Sequence, residues 1–120
     1  MSDKDYNAEG KTTVAPDVLL TIARLTTLGV AGVSRLSIVP SNAARLFTRG
    51  HIGEGIVIEI RDSSVHTDIY VILKSGFNVQ DISRKIQIEV SRAISEMVGM
   101  PISAVNIHIE DIEYPAESEA

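Results

Sequence analysis

One stretch, Gly76 to Ile109, restricts the folds open to this chain more than any other. It reads as a strand exit, a long amphipathic helix, a hard stop and an alternating strand. Asn78 is placed to cap a helix, and Asp81 follows three residues on, the spacing of a capping box. Apolar residues then fall at Val79, Ile82, Ile86, Val90, Ala93, Ile94 and Met97. Gaps of three and four put all of them on one helical face. Gly99 offers a left-handed helix exit, and Pro101 forbids continuation. Beyond it, Val105, Ile107 and Ile109 alternate with Asn106, His108 and Glu110, the period of a strand with one buried face.

The rest of the chain fits around that unit. A first helix starts at Pro16, with Asp17 favourable to the helix dipole. Val18, Ile22 and Leu25, with Leu19 and Ala23 beside them, form its expected apolar stripe, and Gly29 its exit. A strand is expected over Val33–Val39, ended by Pro40. Over 40–55, Ser41 or Asn42 would cap a short helix through Thr48, and Gly50, Gly53 and Gly55 read as a flexible loop. Ile56–Arg61 and Val65–Leu73 alternate as a hairpin about Asp62-Ser63-Ser64, with Val65, Thr67, Ile69, Val71 and Leu73 on one face. The long helix then joins two strands as a crossover, which makes them parallel. The expected fold is an α+β two-layer domain: a mixed sheet of about four strands with two helices packed on one face. With 120 residues there is one core. The expected division is a disordered tail over 1–10, a single domain over 11–112 and an acidic tail over 113–120.

Composition removes several function classes. The chain has no cysteine, so disulfides, thiolate catalysis and cysteine-bound metal are excluded. Its apolar runs are too short to span a bilayer. The opening residues are acidic and polar, unlike a signal or transit peptide, which points to the cytoplasm. A net charge of −5 disfavours nucleic acid as a partner. Charge is unevenly placed, however. Arginines 24, 35, 45, 49 and 61 face only Glu54 and Glu59 in the middle, while Glu110 to Ala120 holds five acids and no base.

Motifs for chemistry are sparse. His66 and His108 each have an acid two residues on, Asp68 and Glu110, and these four could converge on the outer sheet face if their strands were adjacent. No HxH or HxxxH spacing accompanies them, so no metal site, cofactor site or catalytic residue is assigned. No nucleophile elbow, P-loop or dinucleotide fingerprint is present. Gly50-His51-Ile52-Gly53 matches the GxxG loop of KH domains, which there joins two helices and clamps nucleotides, but here precedes a strand. On the long helix, Asp81–Lys85, Lys85–Glu89 and Arg92–Glu96 are four apart and Glu89–Arg92 three, a charge-balanced solvated face. Ser41–Gly50 is the candidate partner contact: as a short helix it sets Arg45 and Arg49 four apart with Leu46 and Phe47 beside them.

The string Gly76-Phe77-Asn78-Val79-Gln80-Asp81-Ile82, then Ile86-Gln87, then Met97-Val98-Gly99-Met100-Pro101, then Val105-Asn106-Ile107-His108-Ile109 resembles the alkaline shock protein family of bacteria. Gly10, Val18, Ile22-Ala23 and Gly32-Val33 agree with the same pattern, so the resemblance spans about residues 10–112. It implies a small, non-enzymatic cytoplasmic protein of cell-envelope stress and homeostasis, some members of which reach the membrane through a membrane-anchored partner and others of which are linked to lipid metabolism. It carries no catalytic residue over, and residues 37–55 match it poorly. The expected function is an interaction or scaffold protein that self-associates, as a homo-oligomer, and docks to a protein partner at the membrane. The alternatives are a nucleic-acid module built on the Gly50–Gly53 loop and an enzyme using His66 and His108.

Overall fold

A computed structural model describes residues 13–46 and 50–115. The expected tail over 1–10 lies outside them, as do residues 116–120. The elements are α1 (Pro16–Leu28), β1 (Val33–Leu36), α2 (Ser41–Ala44), β2 (His51–Ile52), β3 (Ile56–Arg61), β4 (Ser64–Lys74), α3 (Val79–Val98) and β5 (Ile102–Glu113). The last expected tail thus begins inside a strand, at Glu113.

The expected two-layer α+β architecture is present. β4 is the central strand. β5 pairs with it in parallel from Val65 to Lys74, occupying one flank in full. β3 pairs antiparallel with Ser64–Ile69 and β1 antiparallel with Val71–Leu73. Those stretches do not overlap, so β1 and β3 lie end to end along the other flank. Two-residue β2 pairs with Ile58 and Val57 at the outer edge. Five strands therefore make a mixed sheet four positions wide.

The two long helices, α1 and α3, share one layer on one face. The chain just past α1, at Val30 and Ala31, lies beside Asn78–Ile82, while Val14 lies beside Val98–Met100, so α1 and α3 run antiparallel. Between them and the sheet sits one aliphatic core: Leu19, Ile22 and Ala23 of α1, Ile82, Ile86, Val90 and Ile94 of α3, and Ile56, Ile58, Val65, Ile69, Val71 and Leu73 of the sheet. The β4 residues expected to share a face are all buried there, including Thr67.

Local rules account for most boundaries. The Asp81 N–H donates to the Asn78 side-chain oxygen at 3.0 Å, and Gly99 ends α3 at φ +75°. The β3–β4 turn is tighter than expected: only Asp62 and Ser63 form it, at φ +51° and +65°, and Ser64 already pairs with Arg61. Two residues of positive φ suit the right-handed twist of the strands they join.

Several expectations are corrected. On α1 the buried residues are Leu19, Ile22, Ala23 and Thr27, while Val18 and Leu25 are exposed. Both stripes contain Ile22 at helical spacing; the observed one turns Leu19, Ala23 and Thr27 inward instead of Val18 and Leu25. Met97 is 71% exposed, although Val98 beside it still packs against the core. Along α3 the expected Glu89–Arg92 pair is present at 3.3 Å, while the other ion pair found there is Asp81–Arg84 at 3.9 Å rather than one of the expected pairs four apart. β1 stops at Leu36, not Val39. α2 ends at Ala44, short of Thr48, and Pro40 rather than Ser41 or Asn42 is its N-cap residue, with no side-chain cap bond. The expected glycine loop contains β2.

Candidate functional site

The connection between β1 and β2 carries side chains that the core does not use. Residues 36–53 contain no acid, and Arg45, Arg49 and His51 fall within them. Ser37 N–H still donates to Tyr70 O at 2.8 Å, but the flank of β4 beyond that point belongs to Gly55 and β3. The connection therefore leaves the sheet after Ser37. Pro40 O then accepts from Ala44 N–H at 2.8 Å, closing the single turn of α2, and Leu46 N–H donates to Ala43 O at 2.9 Å.

Of the four expected contact residues, the structure describes two. Arg45 is exposed, and Leu46 is 79% exposed, so Leu46 is no plug for the edge of the core. Phe47 and Arg49 lie outside the described residues. Sequence reasoning missed Ile38, which is 78% exposed on the same connection. The apolar pattern runs a strand through it to Val39, but beyond Ser37 the flank of β4 is taken by Gly55. Ile38 and Leu46 are the two most exposed large aliphatic side chains among the described residues.

The sheet face opposite the helices is a second polar constellation. His66, Asp68 and Tyr70 project from β4 and Asn106 and His108 from β5, since residues paired across strands share a face. His108 Nε2 lies 2.9 Å from Asp68 Oδ1. Its imidazole stacks on the Tyr70 ring, with centroids 4.3 Å apart and planes 10° from parallel. Tyr70 is 3% exposed. Burial pushes its phenol pKa above the usual 10.0, and the nearby Asp68 and Glu110 carboxylates push it further. The expected convergence is partial: His108 meets Asp68, whereas His66 pairs across to Glu59, whose carboxylate accepts from Arg61 Nε at 2.9 Å. Among the described residues, no three His, Asp or Glu side chains come together to hold a metal ion. The His108–Asp68 pair ties β5 to β4.

At the far end of this face, Glu113 accepts a hydrogen bond from Ser34 and pairs with Arg35 at 3.4 Å. The Ser34 hydroxyl, then the Arg35 guanidinium, hold the Glu113 carboxyl below the usual carboxylate range. The Gly50–Gly53 segment is strand β2 with its turn into β3, where Gly53 N–H donates to Ile56 O at 2.8 Å. It does not join two helices, so the KH-like reading loses its structural basis. Among the described residues, no helix is long and apolar enough to cross a membrane.

A family model described as the Asp-23 family, of cell envelope-related function, matches residues 4–114. An uncharacterized protein of Streptococcus pyogenes, Spy1535, is 38% identical over 104 residues, covering 86% of this chain and 79% of its own. An uncharacterized protein of Bacillus subtilis, YqhY, is 22% identical over 111 residues, covering 92% of this chain and 82% of its own. Among solved structures, a variant of MamM-CTD superposes with a TM-score of 0.51 at 12% identity, covering 82% of this chain and 100% of that one. A further MamM-CTD structure gives 0.50 at 11%, covering 81% and 99%. At such identities the likeness is one of fold.

Proposed function

From a chain that belongs to the alkaline shock protein family, whose function is related to the cell envelope, we propose a non-enzymatic interaction protein of the envelope stress response and envelope or lipid homeostasis. It self-associates and docks to a protein partner at the inner face of the membrane. The observation that carries this reading is the β1–β2 connection, where Arg45 and Leu46 stand exposed beside a core that is sealed without them. The sheet offers the means of self-association. Among the described residues β5 pairs on one side only, and the backbone groups of its other edge can extend the sheet into a second copy.

Two measurements test this reading. Sedimentation velocity of the purified chain gives its mass, and a monomer at all concentrations would remove self-association. Recovery of the chain with the membrane fraction, before and after protease has stripped the exposed membrane proteins, reads the partner. Arg45→Ser with Arg49→Ser, keeping Phe47, is expected to leave the melting temperature unchanged and to lower that recovery. Unchanged recovery rules these arginines out as the docking site.

A further inference from the structure

We propose that the β1–β2 connection also contacts anionic lipid directly, with Ile38 and Leu46 entering the acyl boundary and Arg45 meeting headgroup phosphates. This deepens the membrane reading above and rests on it only for the location of the chain.

The first argument is charge. Residues 36–53 carry a charge of +2 and the rest of the chain −7. An anionic surface therefore repels the rest of the chain taken together and attracts this connection, which favours approach through it. The attraction acts within a screening length of about 8 Å at physiological ionic strength, so the basic residues must lie on the contacting connection itself. Arg45 does, and it is exposed. By contrast, Arg35 and Arg61 are engaged by Glu113 and Glu59.

The second argument is the kind of apolar side chain. Protein interfaces are anchored by Trp, Tyr and Arg seated in pockets, and leucine is under-represented among such anchors. Ile38 and Leu46 are aliphatic, and at 78% and 79% exposed they are seated in no pocket among the described residues. The single turn of α2 stands between them, eight residues apart in sequence on the same connection. Ile52, at the edge strand that the connection leads into, is exposed too. Short apolar side chains flanked by a base are what a lipid interface takes up, weakly and reversibly, when no segment spans the bilayer.

The test uses the purified full chain and protein-free vesicles. Cosedimentation is measured with vesicles of phosphatidylglycerol and phosphatidylcholine in equal parts, and with phosphatidylcholine alone. Binding is expected to the first and not the second, and to fall as salt is raised. Ile38→Ser and Leu46→Ser should each lower the partition coefficient about tenfold, the loss when one partly inserted aliphatic side chain is removed. Arg45→Ser should raise the phosphatidylglycerol content needed for half-binding. Unchanged melting curves verify that these surface variants fold. Failure of the parent to bind the anionic vesicles overturns the proposal, as does binding unchanged in the variants. Loss of self-association in the Ile38 and Leu46 variants, with vesicle binding intact, assigns the connection to a second copy and overturns it equally. Because the vesicles hold no protein, failure here leaves docking to a protein partner standing.

Discussion

The Gln87 side-chain amide donates to the backbone carbonyl of Val105 at 3.0 Å, locking α3 to the edge strand β5. Its neighbour Ile86 is fully buried in the core. The Ile86-Gln87 pair thus does two tasks from adjacent positions: one side chain anchors α3 in the core, and the other covers a polar group of a strand that, among the described residues, pairs on one side only. Replacing Gln87 with Met keeps the length and removes the donor. The expected cost is about 1 kcal/mol, the net contribution of one such hydrogen bond. Urea midpoints for the two chains, at equal slope, read it directly; identical midpoints would show that water serves the carbonyl equally well.

Along α3 the pattern of apolar residues was legible because caps and periodicity agree. Asn78 and Gly99 mark the ends, and the four buried isoleucine and valine positions follow the stripe. Met97 had the right spacing and the wrong environment, since at the end of a helix spacing does not say which side chain the core still covers; Val98 packs there instead. Ile86→Ala should therefore cost about 2–5 kcal/mol, while Met97→Ala should change stability by less than about 0.5 kcal/mol. Comparable losses at both positions would mean that Met97 is covered, and the helix placement would be wrong.

Residues 37–55 were the least legible. Their structure is set by a meeting of distant strands: Ser37 and Gly55 come together beside Tyr70, where the end of β1 meets the start of β3. No local pattern encodes that meeting. The candidate contact was legible only in part for the same reason. Arg45 and Leu46 stand out by type, but the exposure of Ile38 depends on Gly55 taking the flank of β4 that a longer β1 would have used.

Gly55 makes this junction possible, at φ +73°. A methyl group there would run into Ser37 O, with Leu36 Cβ at 2.9 Å and Tyr70 O at 3.2 Å. Two of those three atoms are backbone and cannot swing aside. Gly55→Ala is expected to cost more than about 2 kcal/mol, combining the φ penalty with the displacement of β1. Gly76→Ala, also at positive φ but with nothing within 4 Å, should cost less. Thermal melts of the two variants give the order; the reverse order would mean that β1 and β3 do not meet there.

Thr67 is fully buried in the centre of β4, and its hydroxyl has no hydrogen-bond partner among the described residues. A buried hydroxyl left unpaired costs about 1–3 kcal/mol. Valine has nearly the same shape and suits a strand equally well. Thr67→Val should therefore raise stability by about 1 kcal/mol, seen as a higher urea midpoint at unchanged slope. A lower midpoint would show that the hydroxyl has a partner in solution.

Tyr70 makes stability depend on alkaline pH. Its phenol is neutral when protonated, and burial, with help from the Asp68 and Glu110 carboxylates, raises its pKa above the ordinary 10.0. Above pH 10 the unfolded chain releases this proton while the folded chain still holds it. The folded state then binds more protons, so stability falls as pH rises. The contribution is fully present below pH 10 and is lost as pH climbs through the folded pKa. Tyr70→Phe keeps the ring stacked on His108 and removes the proton. The parent and the variant should therefore show nearly parallel stabilities from pH 7 to 9. Above 10, the parent should fall more steeply than the variant. Urea unfolding at closely spaced pH values tests this, and equal slopes above pH 10 would mean that the phenol reaches water and titrates as it does in the unfolded chain.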